Sequence, residues 1–184
     1  QINLDLEANG YALCILDSGA DHADLTAEYA AITEELRAVC GCFGKNVLRE
    51  VPEEAFLAAL PQVRETAGDR AALRAMHVYA ENRRAKAQAD ALRQGDFDGF
   101  LALVRASGAS SAMFLQNVIP TGQTTRQELM VTIALCQALL GGRGAVRVHG
   151  GGFGGTAQAF VPLDLVEQFR QETEAALGKG ACHV

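Results

Sequence analysis

Gly150, Gly151, Gly152, Phe153, Gly154 and Gly155 place five glycines in six consecutive positions. Ordering glycine costs more backbone entropy than ordering any other residue, so such a run is expected where something must meet bare backbone. One chemistry that uses it is dinucleotide binding. Gly150, Gly152 and Gly155 satisfy G-x-G-x-x-G. That fingerprint needs a strand before it and a helix after it, because the helix N-terminus holds the pyrophosphate. Ala145, Val146 and Val148 supply the strand, but Thr156 to Phe160, Val161 and Pro162 read as a second strand. A strand–loop–strand unit argues against a dinucleotide. No Gly-Lys-Ser/Thr follows, so a Walker A loop is excluded as well. Two readings stay open on pattern alone: a glycine-rich hairpin, or a backbone site for phosphate or another anion.

Other reactive side chains are scattered. Cys14, Cys40, Cys42, Cys136 and Cys182 form an odd set without C-x-x-C, which reads as reduced thiols in a cytoplasmic protein. Cys40, Cys42 and the Cys182-His183 pair do not have the spacing of a four-ligand metal site, so no metal site is expected. His22, His77 and His149 stand apart from one another. Asp17, Ser18 and Gly19 close a strand. Arg147 alternates with Val146 and Val148 and reads as part of a solvated strand face. A net charge of −6 without a basic block argues against nucleic acid or anionic membrane as a partner. No apolar run approaches the length of a membrane span.

The elements that would position these residues follow from periodicity. Ile2, Leu4 and Leu6 alternate ahead of Asn9-Gly10 and an apolar stretch from Tyr11 to Leu16, which predicts a hairpin. Asp24 is placed to cap a helix whose apolar stripe is Leu25, Tyr29, Ile32, Leu36, Val39 and Phe43, ended by Gly41 and Gly44. Pro52, Glu53 and Glu54 open a short helix. An alanine-rich helix is expected over 70–94, closed by Gly95. Asp96 caps the next, which is expected to end in a small-residue turn at 107–112. A further helix is expected over 124–140, stopped by Gly141-Gly142. Strands at 145–149 and 156–161, a helix with Leu163, Val166 and Phe169 on its apolar side, and a final strand complete the chain. The order is strand, helices, strand, strand, helix, strand. It predicts an α+β, ferredoxin-like split βαβ two-layer core with a large helical insertion in its first crossover.

Three stretches carry a family resemblance. "RVHGGGFGGTAQAFVP" at 147–162 resembles the third signature motif of the GHMP small-molecule kinases in its galactokinase form. "GYALCILDSGADHADLTAEYAAI" at 10–32 resembles the strand and helix that enter the second lobe of galactokinases. "MHVYAENRRAKAQADALRQGDF" at 76–97 resembles their long middle helix. The matches run in family order over nearly the whole chain.

The resemblance implies an ATP-dependent phosphotransferase acting on the anomeric hydroxyl of galactose. It implies that residues 1–184 form a single GHMP-kinase C-terminal domain. The N-terminal lobe would then carry the phosphate loop, the catalytic aspartate and most of the ATP and Mg2+ binding. No catalytic residue is expected in this chain, and the chain alone is expected to be inactive. The chain opens at Gln1 inside an alternating stretch and stops as a strand begins, so it is expected to be a piece of a longer protein. The implied partners are galactose, ATP and its own N-terminal lobe. Tyr29 is implied as a sugar contact. Gly150, Gly151, Gly152, Gly154 and Gly155 are implied to face the phosphates and sugar, with Phe153 anchoring the loop. The chain departs from the family at His149, where Thr is usual, at Thr156, where Cys is usual, and at Tyr29-Ala30, where Tyr-Asn is usual. Two other readings are a non-catalytic sugar and ATP sensor, and a GHMP kinase for another sugar or small alcohol.

Overall fold

Alternation dictates the sheet. In β1 (Tyr11–Asp17), Cys14 and Leu16 are buried while Leu13 on the opposite face is exposed. The computed structural model describes residues 2, 4–20 and 25–184. β2 (Ala145–Val148) and β3 (Thr156–Pro162) pair antiparallel across the glycine loop, and β3 pairs antiparallel with β1. The short β4 (Cys182–His183) adds to the other edge of β1. The strand order β2-β3-β1-β4 is that of a split βαβ fold.

Two helices cover one face. α6 (Glu128–Leu140) and α7 (Val166–Leu177) bring Leu129, Ile133, Cys136, Leu140 and Phe169 against Val146, Val148, Ala157, Ala159 and Val161. Each fully buried large apolar side chain contributes roughly 1.5–3 kcal/mol. Alanines at 157 and 159 on a central strand leave room for those larger side chains. On the other face α5 (Phe97–Ser110) packs Phe97, Phe100, Leu101 and Val104 on Ala145 and Phe160. Phe100 and Phe160 meet edge to face, 5.4 Å between ring centroids.

The crossover from β1 to β2 holds the helical insertion: α1 (Thr26–Gly41), α2 (Glu53–Ala58), α3 (Leu60–Ala67), α4 (Asp69–Arg93), then α5 and α6. α4 is lined with Ala71, Ala72 and Ala75, which admit Val39, Phe56 and Val63 to a second core. Asp96 caps α5 by accepting from the Gly99 amide at 2.8 Å, as its sequence position predicts. α3, with its proline in the first turn, is an element the periodicity did not single out.

Three expectations fail for local reasons. Among the described residues no strand precedes Tyr11. Asp5 accepts from the Ala8 amide, the Asn9 side chain donates to the Asp5 carbonyl, and residues 6–10 close into a turn instead of a hairpin arm. The small-residue stretch at 107–112 is not a turn. α5 runs on to Ser110 and continues as a π-helical turn, Ser111–Leu115. Its serines are small because they pack: Ser107 donates to Glu81 and Ser110 pairs with His77 Nδ1 at 2.9 Å, both on α4. A Cβ on Gly108 would come within 3.0 Å of the Arg147 Cβ. α6 begins at Glu128, not Thr124; the β-branched pair Thr124-Thr125 lies in irregular chain. The Asp24 cap lies outside the described residues.

Candidate functional site

The glycine loop joins β2 to β3 and is tied at its neck. The His149 amide donates to the Thr156 carbonyl, and His149 Nδ1 lies 2.9 Å from Thr156 Oγ1. The two departures from the family motif are therefore partners of each other. Beyond the neck the glycines have different tasks. Gly150 and Gly151 form an exposed crest, whereas Gly152, Phe153, Gly154 and Gly155 are buried. Among the described residues the amides of Gly150 and Gly151 donate to no acceptor, so they are the donors an anion could meet.

Gly152 is required by its neighbours. Its φ is +87°, and a Cβ there would lie 2.0 Å from the Asn117 carbonyl oxygen. A Cβ on Gly151 would lie 2.8 Å from Tyr29 Cε1. Phe153 takes φ +62°, a left-handed conformation uncommon outside glycine. Its ring is buried edge-on to Tyr29, 5.4 Å between centroids, and its amide donates to the Asn117 carbonyl at 2.5 Å. Tyr29 Oη donates to the Gly152 carbonyl at 2.9 Å. The structure thus brings Tyr29, singled out by the sequence, against the glycine loop.

Asp17, Ser18 and Gly19 border the same loop. The Ser18 amide donates to the Gly155 carbonyl, and Asp17 Oδ1 accepts from the Gly19 amide. Arg147 differs from its expectation. It is not on a solvated face but points toward Glu81 on α4, Nη1 to Oε1 3.6 Å, with only a quarter of its side chain exposed. Burial pulls the Glu81 carboxyl up, but Ser107, Arg84 and Arg147 outweigh it and hold it below the usual glutamate range.

Sequence reasoning missed the support behind the loop. Arg74 on α4 is fully buried, donates to Glu35 at 2.8 Å and to the Leu115 carbonyl at 3.0 Å. Burial lowers its pKa, and Glu35 opposes that shift. Arg70 shares Glu35 and donates to Thr121 Oγ1. Glu28, next to Tyr29 on α1, accepts from the Thr121 amide and hydroxyl at 2.8 and 3.0 Å. This network fixes residues 115–121, and Asn117 with them, against α1 and α4. The pairs are separated by 35 to 93 residues, so no local spacing announces them.

A cleft of about 570 Å³ opens beside Phe153, bounded by Leu25, Glu28, Pro120 and Thr121. Among the described residues no three His, Cys, Asp or Glu side chains are grouped to hold a metal ion. Cys40 lies in the insertion core and Cys182 in the sheet core, so these thiols do not converge. No helix among the described residues is long and apolar enough to cross a membrane.

A split βαβ sheet carrying a helical insertion and a glycine loop between its second and third strands is an α+β architecture consistent with the C-terminal domain expected from the resemblance to GHMP small-molecule kinases. Within that class the similarity is to galactokinases. The chain is 32% identical over 165 residues to the galactokinase of Glaesserella parasuis serovar 5, covering 88% of the chain and 40% of that relative. It is 29% identical over 163 residues to the Actinobacillus pleuropneumoniae galactokinase, covering 89% of the chain and again 40% of the relative. The crystal structure of Lactococcus lactis galactokinase complexed with galactose superimposes with a TM-score of 0.69 at 28% identity, over 95% of this chain and 44% of that one. The chain therefore spans less than half the length of the relatives it matches. No family model matches the chain.

Proposed function

We propose that this chain is the C-terminal lobe of a galactokinase-like enzyme that transfers the γ-phosphoryl group of ATP to the anomeric hydroxyl of galactose. The observation that carries the reading is the exposed Gly150–Gly151 crest with Tyr29 locked against it. Phosphoryl transfer is mainly positioning and stabilisation of spread negative charge, which fixed backbone amides supply. The amides of Gly150 and Gly151 would face phosphate or sugar oxygens. Tyr29 has given its one proton to Gly152, and its oxygen keeps a lone pair that can accept from a sugar hydroxyl. ATP supplies the transferable group. In this reading Mg2+, the catalytic aspartate and most nucleotide contacts belong to an N-terminal lobe.

The direct test is activity of the 184-residue chain by itself. Incubated with Mg-ATP and galactose, it is expected to form no sugar phosphate. Turnover by this chain would mean that its own residues hold the catalytic groups.

A further inference from the structure

The geometry points to Asn117 as the positioning residue that sets the shape of the glycine loop. It grips three consecutive loop residues. Its side-chain Nδ2 donates to the Gly151 carbonyl at 3.1 Å. Its backbone carbonyl accepts from the Phe153 amide at 2.5 Å. It also occupies the space over Gly152, where a Cβ would lie 2.0 Å from its carbonyl oxygen and 2.7 Å from Nδ2.

The chain aims Asn117 at this place. The Gln116 amide closes the π-helical turn on the Ser111 carbonyl, and Gln116 takes φ +55°, which turns the chain out of the helix and back toward the loop. Arg74 holds Leu115 on one side and Glu28 holds Thr121 on the other. Asn117 is only 3% exposed, so water cannot readily replace its contacts. The amide can take one orientation only. Turned over, Oδ1 would face the Gly151 carbonyl and both atoms would be acceptors. In the orientation present, Oδ1 is buried and no donor among the described residues reaches it. Asn117 thus keeps a buried oxygen unpaired in order to present its nitrogen to the loop, a cost that packing alone would not require.

Two substitutions separate hydrogen bonding from packing. Asn117→Asp keeps the shape and replaces the donor by an acceptor. Asn117→Ala removes both. The measurement is amide hydrogen exchange on the 184-residue chain, comparing the peptide over 147–161 with peptides from α6 and β1, after correction for intrinsic rates. Loss of one hydrogen bond predicts roughly 2- to 10-fold faster exchange in the loop, with α6 and β1 unchanged. Asn117→Asp is expected to be at least as fast as Asn117→Ala at about pH 8. Burial and the facing carbonyl favour the protonated acid, which can donate to Gly151, so loop protection returns on acidification to about pH 5. Unchanged loop exchange in both variants would overturn the inference. So would equal acceleration in all peptides, since Asn117 would then hold the core and not the loop. So would an Asp variant indifferent to pH, which would leave volume as the only role. The consequence for phosphate handling rests on the proposed kinase reading; exchange requires no activity, so a failure of that reading leaves this result standing by itself.

Discussion

Tyr29 Oη donates to the carbonyl of Gly152, 123 residues away, at 2.9 Å, and its ring stands where a side chain on Gly151 would be. One tyrosine therefore joins the start of the insertion to the loop between β2 and β3. Tyr29→Phe removes the hydrogen bond and keeps the edge-to-face contact with Phe153. The expected loss is about 0.5–1.5 kcal/mol. In the longer protein of the proposed reading it appears as a higher KM for galactose, with ATP affinity little changed. Unchanged galactose kinetics would leave Tyr29 with a packing role alone.

The glycines of the loop are not equivalent to substitution. Gly150 has φ +67°, and a Cβ there would meet no atom within 4 Å. Gly150→Ala therefore meets only backbone strain, roughly 1–2 kcal/mol, or about 2–8 °C in Tm for a domain of this size. Gly152→Ala meets the same kind of strain plus the Asn117 backbone oxygen at 2.0 Å, which cannot yield as a flexible side chain does. Overpacking adds roughly 1–3 kcal/mol. Paired thermal melts are expected to rank Gly152→Ala well below Gly150→Ala; the reverse order would refute this view of the loop.

Glu35 is shared by Arg70 and the fully buried Arg74. Glu35→Gln removes the carboxylate bonded to the buried Arg74 guanidinium, at a cost of about 3–5 kcal/mol. Arg74→Met removes the buried charge itself and is expected to cost less. Urea unfolding of the two variants measures the difference. Equal losses would show that the pair acts by shape and not by charge.

His77 makes stability depend on pH. It is buried between α4 and α5 beside Ser110, and burial, opposed by Glu81 and aided by Arg84 and Arg147, pushes its pKa below the ordinary histidine value. The unfolded chain takes up this proton from about pH 6.5 downward, before the folded chain does. Stability from this site is therefore complete at neutral pH and is lost as pH falls below about 6.5. His77→Gln is expected to flatten that part of the profile. A wild-type curve flat between pH 7 and pH 5, at about 0.5-unit steps, would contradict it.

The sheet and the loop were legible because strand alternation and dense glycine are local signals. Cys14 and Leu16 declare a buried face, and Pro162 ends β3 where the pattern does. The same local reading failed where a residue's partner is distant. Ser107 and Ser110 look like turn formers until Glu81 and His77 stand opposite them. Arg147 looks solvated until Glu81 is placed on α4. Asn117 sits in an unpatterned stretch, and only its hydrogen bonds to Gly151 and Phe153 and its close approach to Gly152 show what it does. Ile2, Leu4 and Leu6 alternate like a strand, but Asp5 and Asn9 draw the backbone into a turn.

If the exposed crest of this loop serves phosphoryl transfer to galactose, the longer protein must form galactose 1-phosphate from Mg-ATP and galactose, and the crest must matter to the rate. The most direct measurement is that assay on wild type beside Gly150→Val. A Cβ on Gly150 meets no neighbour within 4 Å, so a melt on the same preparation shows whether the fold survives the backbone strain. Wild type is expected to turn over, with galactose preferred over other hexoses. The variant is expected to lose roughly tenfold or more, equivalent to about 1.4 kcal/mol of transition-state stabilisation. Binding of galactose and ATP without turnover by wild type, or a folded valine variant of undiminished activity, would contradict this role for the crest.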